Sequence, residues 1–291
     1  MTRRQALLYG LNGIPAARRL LAQSAALPTH VPTHIPIPVP TPDVRWNPHP
    51  VFNGAPVLFT SKTFSGTATW LDKKIEFRPD KDGFSALAGV NLNRPAGRYR
   101  LSMGSETADV TVTRRAYPAS VITVPPKFVA PPKEFQAQIA QETSVKQKVF
   151  QASPPERLWQ GAFVAPVHAS FTSSFGARRV YNGKTRSVHQ GLDYNAALGS
   201  PITAANAGRV MIARDMYFEG GLVVIDHGES LFTLYMHLSE FLVQEGAAIA
   251  KGEPLGKSGA SGRVTGPHLH FAVQWQGAYL EPATLLGLWR S

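Results

Sequence analysis

A chain of 291 residues can hold one large or two ordinary domains, and a composition 43% apolar and 17% charged is that of a globular protein rather than a disordered one. No stretch approaches about 18 uninterrupted apolar residues, which excludes a conventional membrane-spanning helix, and the lack of cysteine excludes disulfides and thiolate chemistry without fixing the compartment. The net charge of +11 is concentrated in residues 1–160, where twenty Lys/Arg face ten Asp/Glu, whereas residues 161–291 carry ten and nine. A basic surface attracts polyanions in general, but no zinc-finger or RNA-binding signature accompanies it, so no nucleic-acid partner is expected.

Residues 1–27 read as an export signal or an N-terminal tail. Thr2-Arg3-Arg4-Gln5-Ala6-Leu7-Leu8 resembles a twin-arginine start, and an apolar run from Leu7 to Ala17 follows, although Arg18-Arg19 interrupts the pattern. Residues 28–45 form a Pro-rich spacer, with eight prolines between positions 28 and 50 fixing an extended backbone. Over residues 46–124 the pattern becomes short β-rich runs between Gly, Pro, Asn and Asp: Ala55–Phe59, Thr67–Leu71, Lys74–Phe77, Arg98–Met103 and Asp109–Thr113. That spacing predicts a small antiparallel β-sandwich. It carries no catalytic constellation.

Residues 125–157 open on four prolines and continue as a predicted helix over Lys133–Gln151, a polar connector with only a loose stripe through Phe135, Ile139 and Val149. From residue 158 to the end the chain is again strands and glycine turns, with Val223–Ile225, Leu231–Leu238 and Leu269–Trp275 the clearest strands. Four of the nine histidines and one aspartate gather here in recognisable spacing: His189-Gln-Gly-Leu-Asp193, His237 and His268-Leu-His270. Two imidazoles and a carboxylate with further histidines nearby are the components of a hydrolytic zinc site, in which three protein ligands leave a fourth position for water.

Side chains two apart share a strand face. Along His268–Trp275, His268, His270, Ala272 and Gln274 point one way, while Leu269, Phe271, Val273 and Trp275 form a wholly apolar face. The histidine face is therefore expected to look into a polar cleft. Along Leu231–Leu238, Phe232, Leu234, Met236 and Leu238 form the apolar face and His237 lies with Thr233 and Tyr235 on the other. His189 and Asp193 are four apart, which suits a strand face or an extended loop, and the intervening Gly191 permits a close backbone approach to a metal.

These residues sit inside a longer resemblance. Thr172-Ser-Ser-Phe-Gly-Ala-Arg178, His189–Asp193, Ile225-Asp-His-Gly228, Tyr235-Met-His-Leu-Ser239 and Thr265-Gly-Pro-His-Leu-His-Phe271 occur in the order found in LytM-type (lysostaphin-like) zinc metallopeptidases of family M23. Residues 158–291 resemble that domain, and the β region before it more loosely resembles the non-catalytic domain of bacterial members. The expected fold is mainly β: an antiparallel LytM-type domain preceded by a β-sandwich and a short helical linker. The resemblance implies that His189, Asp193 and His270 hold one zinc and that His237 and His268 are the catalytic pair. It implies an exported enzyme of the cell envelope or periplasm that cuts peptide cross-links of bacterial peptidoglycan, with D-alanyl-diaminopimelate as the expected linkage. A wall-binding protein or amidase activator is the alternative.

No Glu follows a histidine as in His-Glu-x-x-His, so that general base is missing. His268 shares a strand face with His270 and is the expected proton acceptor, with His237 serving the oxyanion or the leaving amine; the two roles are interchangeable at this level. Tyr181 and Tyr194 both flank the first motif as candidates for an auxiliary tyrosine. Arg178 and Asn182 are candidate substrate contacts. His227 is expected to be structural, His168 to lie on a surface loop, and His30, His34 and His49 to belong to no site.

Overall fold

The computed structural model describes residues 43–183 and 185–289. The tail of residues 1–27 and most of the spacer of residues 28–45, with His30 and His34, lie outside the described residues.

Eight strands form the first β region: β1 (Arg45–Asn47), β2 (Val51–Phe52), β3 (Pro56–Ser61), β4 (Gly66–Trp70), β5 (Lys73–Asp80), β6 (Gly83–Gly89), β7 (Gly97–Met103) and β8 (Glu106–Thr113). They follow one path, β1-β3-β6-β5-β4-β7-β8-β2. The turning point of this path is β5, whose first half pairs with β4 and whose second half pairs with β6. Alternation explains the core. Ala68 and Trp70, Ile75 and Phe77, Leu101 and Met103, and Val110 and Val112 are buried, and residues between them are exposed or half-buried.

Strand β9 (Ala119–Ile122) leaves this region and pairs in parallel with β11 (Arg178–Tyr181), which pairs antiparallel with β12 (Thr185–Val188). Between β9 and β11 comes α1 (Lys133–Gln151), with the bounds expected from the sequence. Its Val145, Val149 and Phe150 pack on Ile212, Met216, Leu222, Val224, Phe232 and Leu234, with Phe150 edge-on to Phe232 at 5.1 Å. It is a connector that covers one sheet face.

The second β region comprises β10 (Phe171–Ser173), β13 (Leu192–Tyr194), β14 (Pro201–Thr203), β15 (Gly208–Met216), β16 (Gly220–Asp226), β17 (Leu231–Phe241), β18 (Ala248–Ile249), β19 (Pro254–Ser258), β20 (Leu269–Trp275) and β21 (Ala278–Leu280), followed by α2 (Pro282–Gly287). Its main path is β10-β13-β20-β17-β16-β15-β18, antiparallel throughout. Leu269, Phe271, Val273 and Trp275 all enter the core, as the apolar face of β20 requires. Burying one such side chain stabilises by roughly 1.5–3 kcal/mol.

The two β regions share that core. Gly89 of β6 lies so close to β21 that a Cβ there would come within 2.6 Å of Leu280 Cδ2. Glu229, in the turn before β17, accepts from Arg78 at 2.9 Å and Arg157 at 3.0 Å, and Arg115 pairs with Glu281 at 2.8 Å.

Candidate active site

Antiparallel pairing of β13 with β20 sets Asp193 directly opposite His270. His189 closes the group from the end of the β12 hairpin, held by reciprocal main-chain bonds between its backbone and Gly176 N–H and Ala177 C=O. The three donor atoms form a triangle: His189 Nε2 to Asp193 Oδ1 is 2.9 Å, His270 Nδ1 to Asp193 Oδ1 is 2.7 Å, and His189 Nε2 to His270 Nδ1 is 3.0 Å. All three residues are buried. Four-coordinate zinc with bonds of about 2.0–2.1 Å needs ligand atoms roughly 3.3 Å apart, so the donor set and its spacing fit such an ion with a small outward relaxation.

The surroundings prepare these atoms. His189 Nδ1 donates to Ser174 O at 2.9 Å, which leaves Nε2 as the lone-pair donor. Arg179 pairs with the other carboxylate oxygen, Asp193 Oδ2. Burial pushes the Asp193 carboxyl up, but its close polar contacts with the His189 and His270 rings outweigh it and hold the group well below the usual carboxylate range. Burial also lowers His270, partly offset by Asp193. Gly191 makes the assembly possible, though its close approach is to the His270 ring rather than to an ion. A Cβ there would lie 2.5 Å from His270 Nε2 and 2.6 Å from Phe271 O. Gly191→Ala is therefore expected to destabilise the fold by about 1–3 kcal/mol through overpacking, measured by denaturant unfolding; a neutral result would mean the loop moves aside freely.

His237 and His268 complete the cluster, their rings 4.8 Å apart and tilted. His268 lies just before β20, its Nδ1 donating to Gly266 O at 2.8 Å and its Nε2 standing 3.8 Å from Asp193 Oδ1. His237 Nδ1 donates to Ser261 O at 2.9 Å. Each ring thus anchors its Nδ1–H on a main-chain carbonyl and keeps an Nε2 lone pair for the cleft. Burial, and then the neighbouring His270 and His268, hold His237 well below the ordinary histidine value.

Strand alternation does not by itself bring His237 here. The register places Met236, not His237, opposite His270, and residues directly opposite share a sheet face. His237 instead adopts a left-handed backbone with φ of 68°. That conformation costs a non-glycine residue about 1–2 kcal/mol and turns the imidazole into the cleft. The pairing register shifts just beyond it, between Leu238 and Glu240. The expected polar histidine face of β20 is also shorter than alternation suggests, because Ala272 and Gln274 are buried, Ala272 within the cluster that α1 covers.

The cleft runs to both sides of the triad. On the His237 side its walls include Arg179, Tyr181, Phe218 and Arg263, and on the His268 side Ser120, Ile122 and Thr265. Of the two tyrosine candidates, Tyr181 lines the cleft, whereas Tyr194 is buried in the core and its hydroxyl is pushed up to about 12 by burial. Arg178 is exposed, and its neighbour Arg179 faces the site. Asn182 binds both backbone groups of Val124, N–H at 2.9 Å and C=O at 2.8 Å, so it ties the linker to β11. Sequence reading missed Arg179, Arg263 and the β9 residues. Only the parallel pairing of β9 with β11 brings the last of these to the cleft, and no local pattern signals it.

Among the described residues, the other three histidines stay outside the cluster. His227 is buried against Thr233 and Ala207, His168 is exposed, and His49 lies against the Trp46 ring at 5.5 Å.

Residues 187–282 match the model of peptidase family M23. The chain carries an M23 peptidase domain. It is 35% identical over 132 residues to peptidoglycan DD-endopeptidase ShyA of Vibrio cholerae, a match covering 45% of this chain and 28% of that protein. It is 38% identical over 116 residues to ShyC of the same organism, and 35% over 119 residues to the DD-carboxypeptidase/endopeptidase Mpg of Neisseria meningitidis. Those matches cover 39% and 41% of this chain, and each spans 27% of the relative. The chain thus matches under a third of the length of these curated relatives. The crystal structure of a putative M23 peptidase from Pseudomonas aeruginosa superposes with a TM-score of 0.63 at 24% identity, over 82% of this chain and 95% of that one. That likeness shows that the fold extends across both β regions.

Proposed function

We propose that the protein is a zinc-dependent endopeptidase that hydrolyses peptide cross-links of bacterial peptidoglycan in the cell envelope, with D-alanyl-diaminopimelate bonds as substrate. The observation that carries this reading is the convergence of a three-atom donor triangle with two further imidazoles whose Nε2 lone pairs face the same cleft. The curated relatives ShyA and ShyC, named as peptidoglycan DD-endopeptidases, support the substrate class.

His189, Asp193 and His270 would hold the ion. Zinc, when bound, polarises the scissile carbonyl and lowers the pKa of water toward about 7. His268 takes the water's proton at Nε2, because that atom is the closer imidazole nitrogen to the ligand oxygen Asp193 Oδ1. His237, its ring 4.8 Å from that of His268, stands beside it and serves the leaving amine. With its Nδ1–H committed to Ser261 O, the His237 ring is a proton acceptor at rest, so the one proton that His268 takes from water is the one passed on to the leaving amine, by way of His237 Nε2. The open cleft on both sides of the triad suits an extended peptide.

The test is digestion of purified peptidoglycan by the full chain, with mass analysis of the soluble products and measurement of bound metal. Wild type is expected to carry about one zinc and release monomeric muropeptides. His270→Ala is expected to lose both while remaining folded. Wall binding without any soluble product would favour a non-hydrolytic wall protein instead.

A further inference from the structure

Three charged side chains other than histidine line the His237 side of the cleft: Arg179, Glu219 and Arg263. Two have ionic partners. Arg179 pairs with Asp193, and Glu219 pairs with Lys146 of α1. Among the described residues, Arg263 has no carboxylate within ion-pair distance. Its guanidinium instead lies 4.8 Å from the Tyr181 ring centroid and 5.0 Å from that of Phe218.

The position is built rather than incidental. Arg263 N donates to Phe218 O at 2.8 Å, fixing the backbone beneath the ring. Two residues earlier, Ser261 accepts from His237 through its carbonyl, and its hydroxyl accepts from Gly221 N at 2.9 Å and donates to Leu238 O at 2.8 Å. Gly220 permits that approach, since a Cβ there would lie 2.3 Å from Ser261 Oγ. One loop therefore sets both the His237 tautomer and the place of Arg263. Stacking between aromatic faces uses the flat sides of a guanidinium and leaves its N–H edge for a planar acceptor, the geometry a carboxylate matches with two parallel hydrogen bonds.

We propose that Arg263 is a specificity-determining residue that binds a free carboxylate on the substrate residue contributing the scissile nitrogen. This rests on the reading of the cleft as peptide-hydrolysing and deepens it. In a D-alanyl-diaminopimelate cross-link the carbon bonded to the scissile nitrogen carries such a carboxylate, and a glycyl bridge has none at that carbon. Arg263 thus selects between linkages that the metal chemistry would treat alike. Arg179, committed to Asp193, does not compete for this role.

The test compares two synthetic cross-linked peptides that differ only there, one with the free carboxylate and one with the primary amide. The zinc-loaded full chain is assayed as wild type, R263Q and R263K. Calorimetric titration with the matching amine-side product peptides, which cannot be cleaved, gives a readout independent of turnover. Charge-assisted hydrogen bonds of this kind correspond to a preference of about 10- to 100-fold. Wild type should show it in kcat/KM and in product affinity, R263Q should erase it, and R263K should recover part of it. Equal treatment of the two peptides by wild type overturns the inference. So does an R263Q defect of the same size on both peptides, which would make Arg263 a structural prop. If neither peptide is cleaved, yet wild type still prefers the carboxylate product and R263Q does not, the carboxylate site stands and the hydrolase reading falls. If product preference is also missing, the inference falls with it.

Discussion

Replacing His268 or His237 with Ala should lower kcat by about 100- to 10,000-fold each while bound zinc stays near one per chain, because a positioned acid–base group contributes that much to rate. Neither side chain supplies an atom to the donor triangle, so metal content is the control that separates loss of proton transfer from loss of the ion. The two variants should differ in a second respect. His268 is held by a short-range bond to Gly266 O on its own loop, and its removal disturbs little else. His237 carries a left-handed backbone, and its ring pins Ser261 and the loop that ends in His268. His237→Ala should therefore also raise KM, as the cleft wall around Arg263 loosens. Near-full activity of either variant with zinc bound would remove that residue from the mechanism. The double variant should cost much less than the product of the single losses, since groups that act on one proton path are not additive.

The site was legible where local pattern and chemistry coincide. His268-Leu-His270 precedes an alternating strand whose apolar face has to be buried, and the structure buries all of Leu269, Phe271, Val273 and Trp275. Helix α1 was legible because prolines bound its start and no glycine or proline interrupts Lys133–Gln151. Strand β6 carries no such signal. Its Ser85-Ala-Leu-Ala-Gly89 stretch is buried on both faces, which removes the alternation that marks a half-exposed strand. The six-residue α2 is too short to show a helical period.

Two features of the site depend on contacts that sequence spacing does not encode. His237 reaches the cleft through one residue's positive φ, set by tertiary contacts with Glu219 O and Ser261 O. Alternation alone would have given Met236 its place. Likewise, the choice between Arg178 and Arg179 turns on which face of β11 meets the cleft. That follows from the pairing of Arg179 with Ser120 on one side and Ser187 on the other.

His227 lies outside the site and carries the second large effect, on stability in acid. Its Nδ1 is 2.7 Å from Ala207 O and its Nε2 is 2.8 Å from Thr233 Oγ1, which in turn is 3.0 Å from the Tyr235 hydroxyl. A carbonyl can only accept, so Nδ1 carries the proton. In the neutral ring Nε2 accepts from Thr233, Thr233 accepts from Tyr235, and Tyr235 accepts from Ala205 N at 2.7 Å. Every member of this buried chain is satisfied with the imidazole neutral, and a second proton on Nε2 would break its direction. Burial accordingly pushes His227 down from 6.5 to about 4, the Ala207 carbonyl opposing only in part.

The unfolded chain then binds the proton first as pH falls, so stability from this group is complete above about 6.5 and is lost progressively toward about 4. At about 1.4 kcal/mol per tenfold change in proton affinity, the loss amounts to roughly 3 kcal/mol. Burial also raises the neighbouring Asp226 carboxyl. A raised carboxyl stabilises the fold as it takes up its proton, so Asp226 opposes part of the acid loss in both wild type and variant. Denaturant unfolding of wild type and His227→Gln from pH 7 to pH 4, with chelator present to remove metal linkage, isolates the histidine. Glutamine keeps a donor and an acceptor but has no proton to gain. The variant should be less stable at pH 7, and its deficit should shrink by about 3 kcal/mol by pH 4. Parallel pH profiles for the two proteins would show that His227 keeps its charge state on folding and that the hydrogen-bonded chain does not depend on a neutral ring.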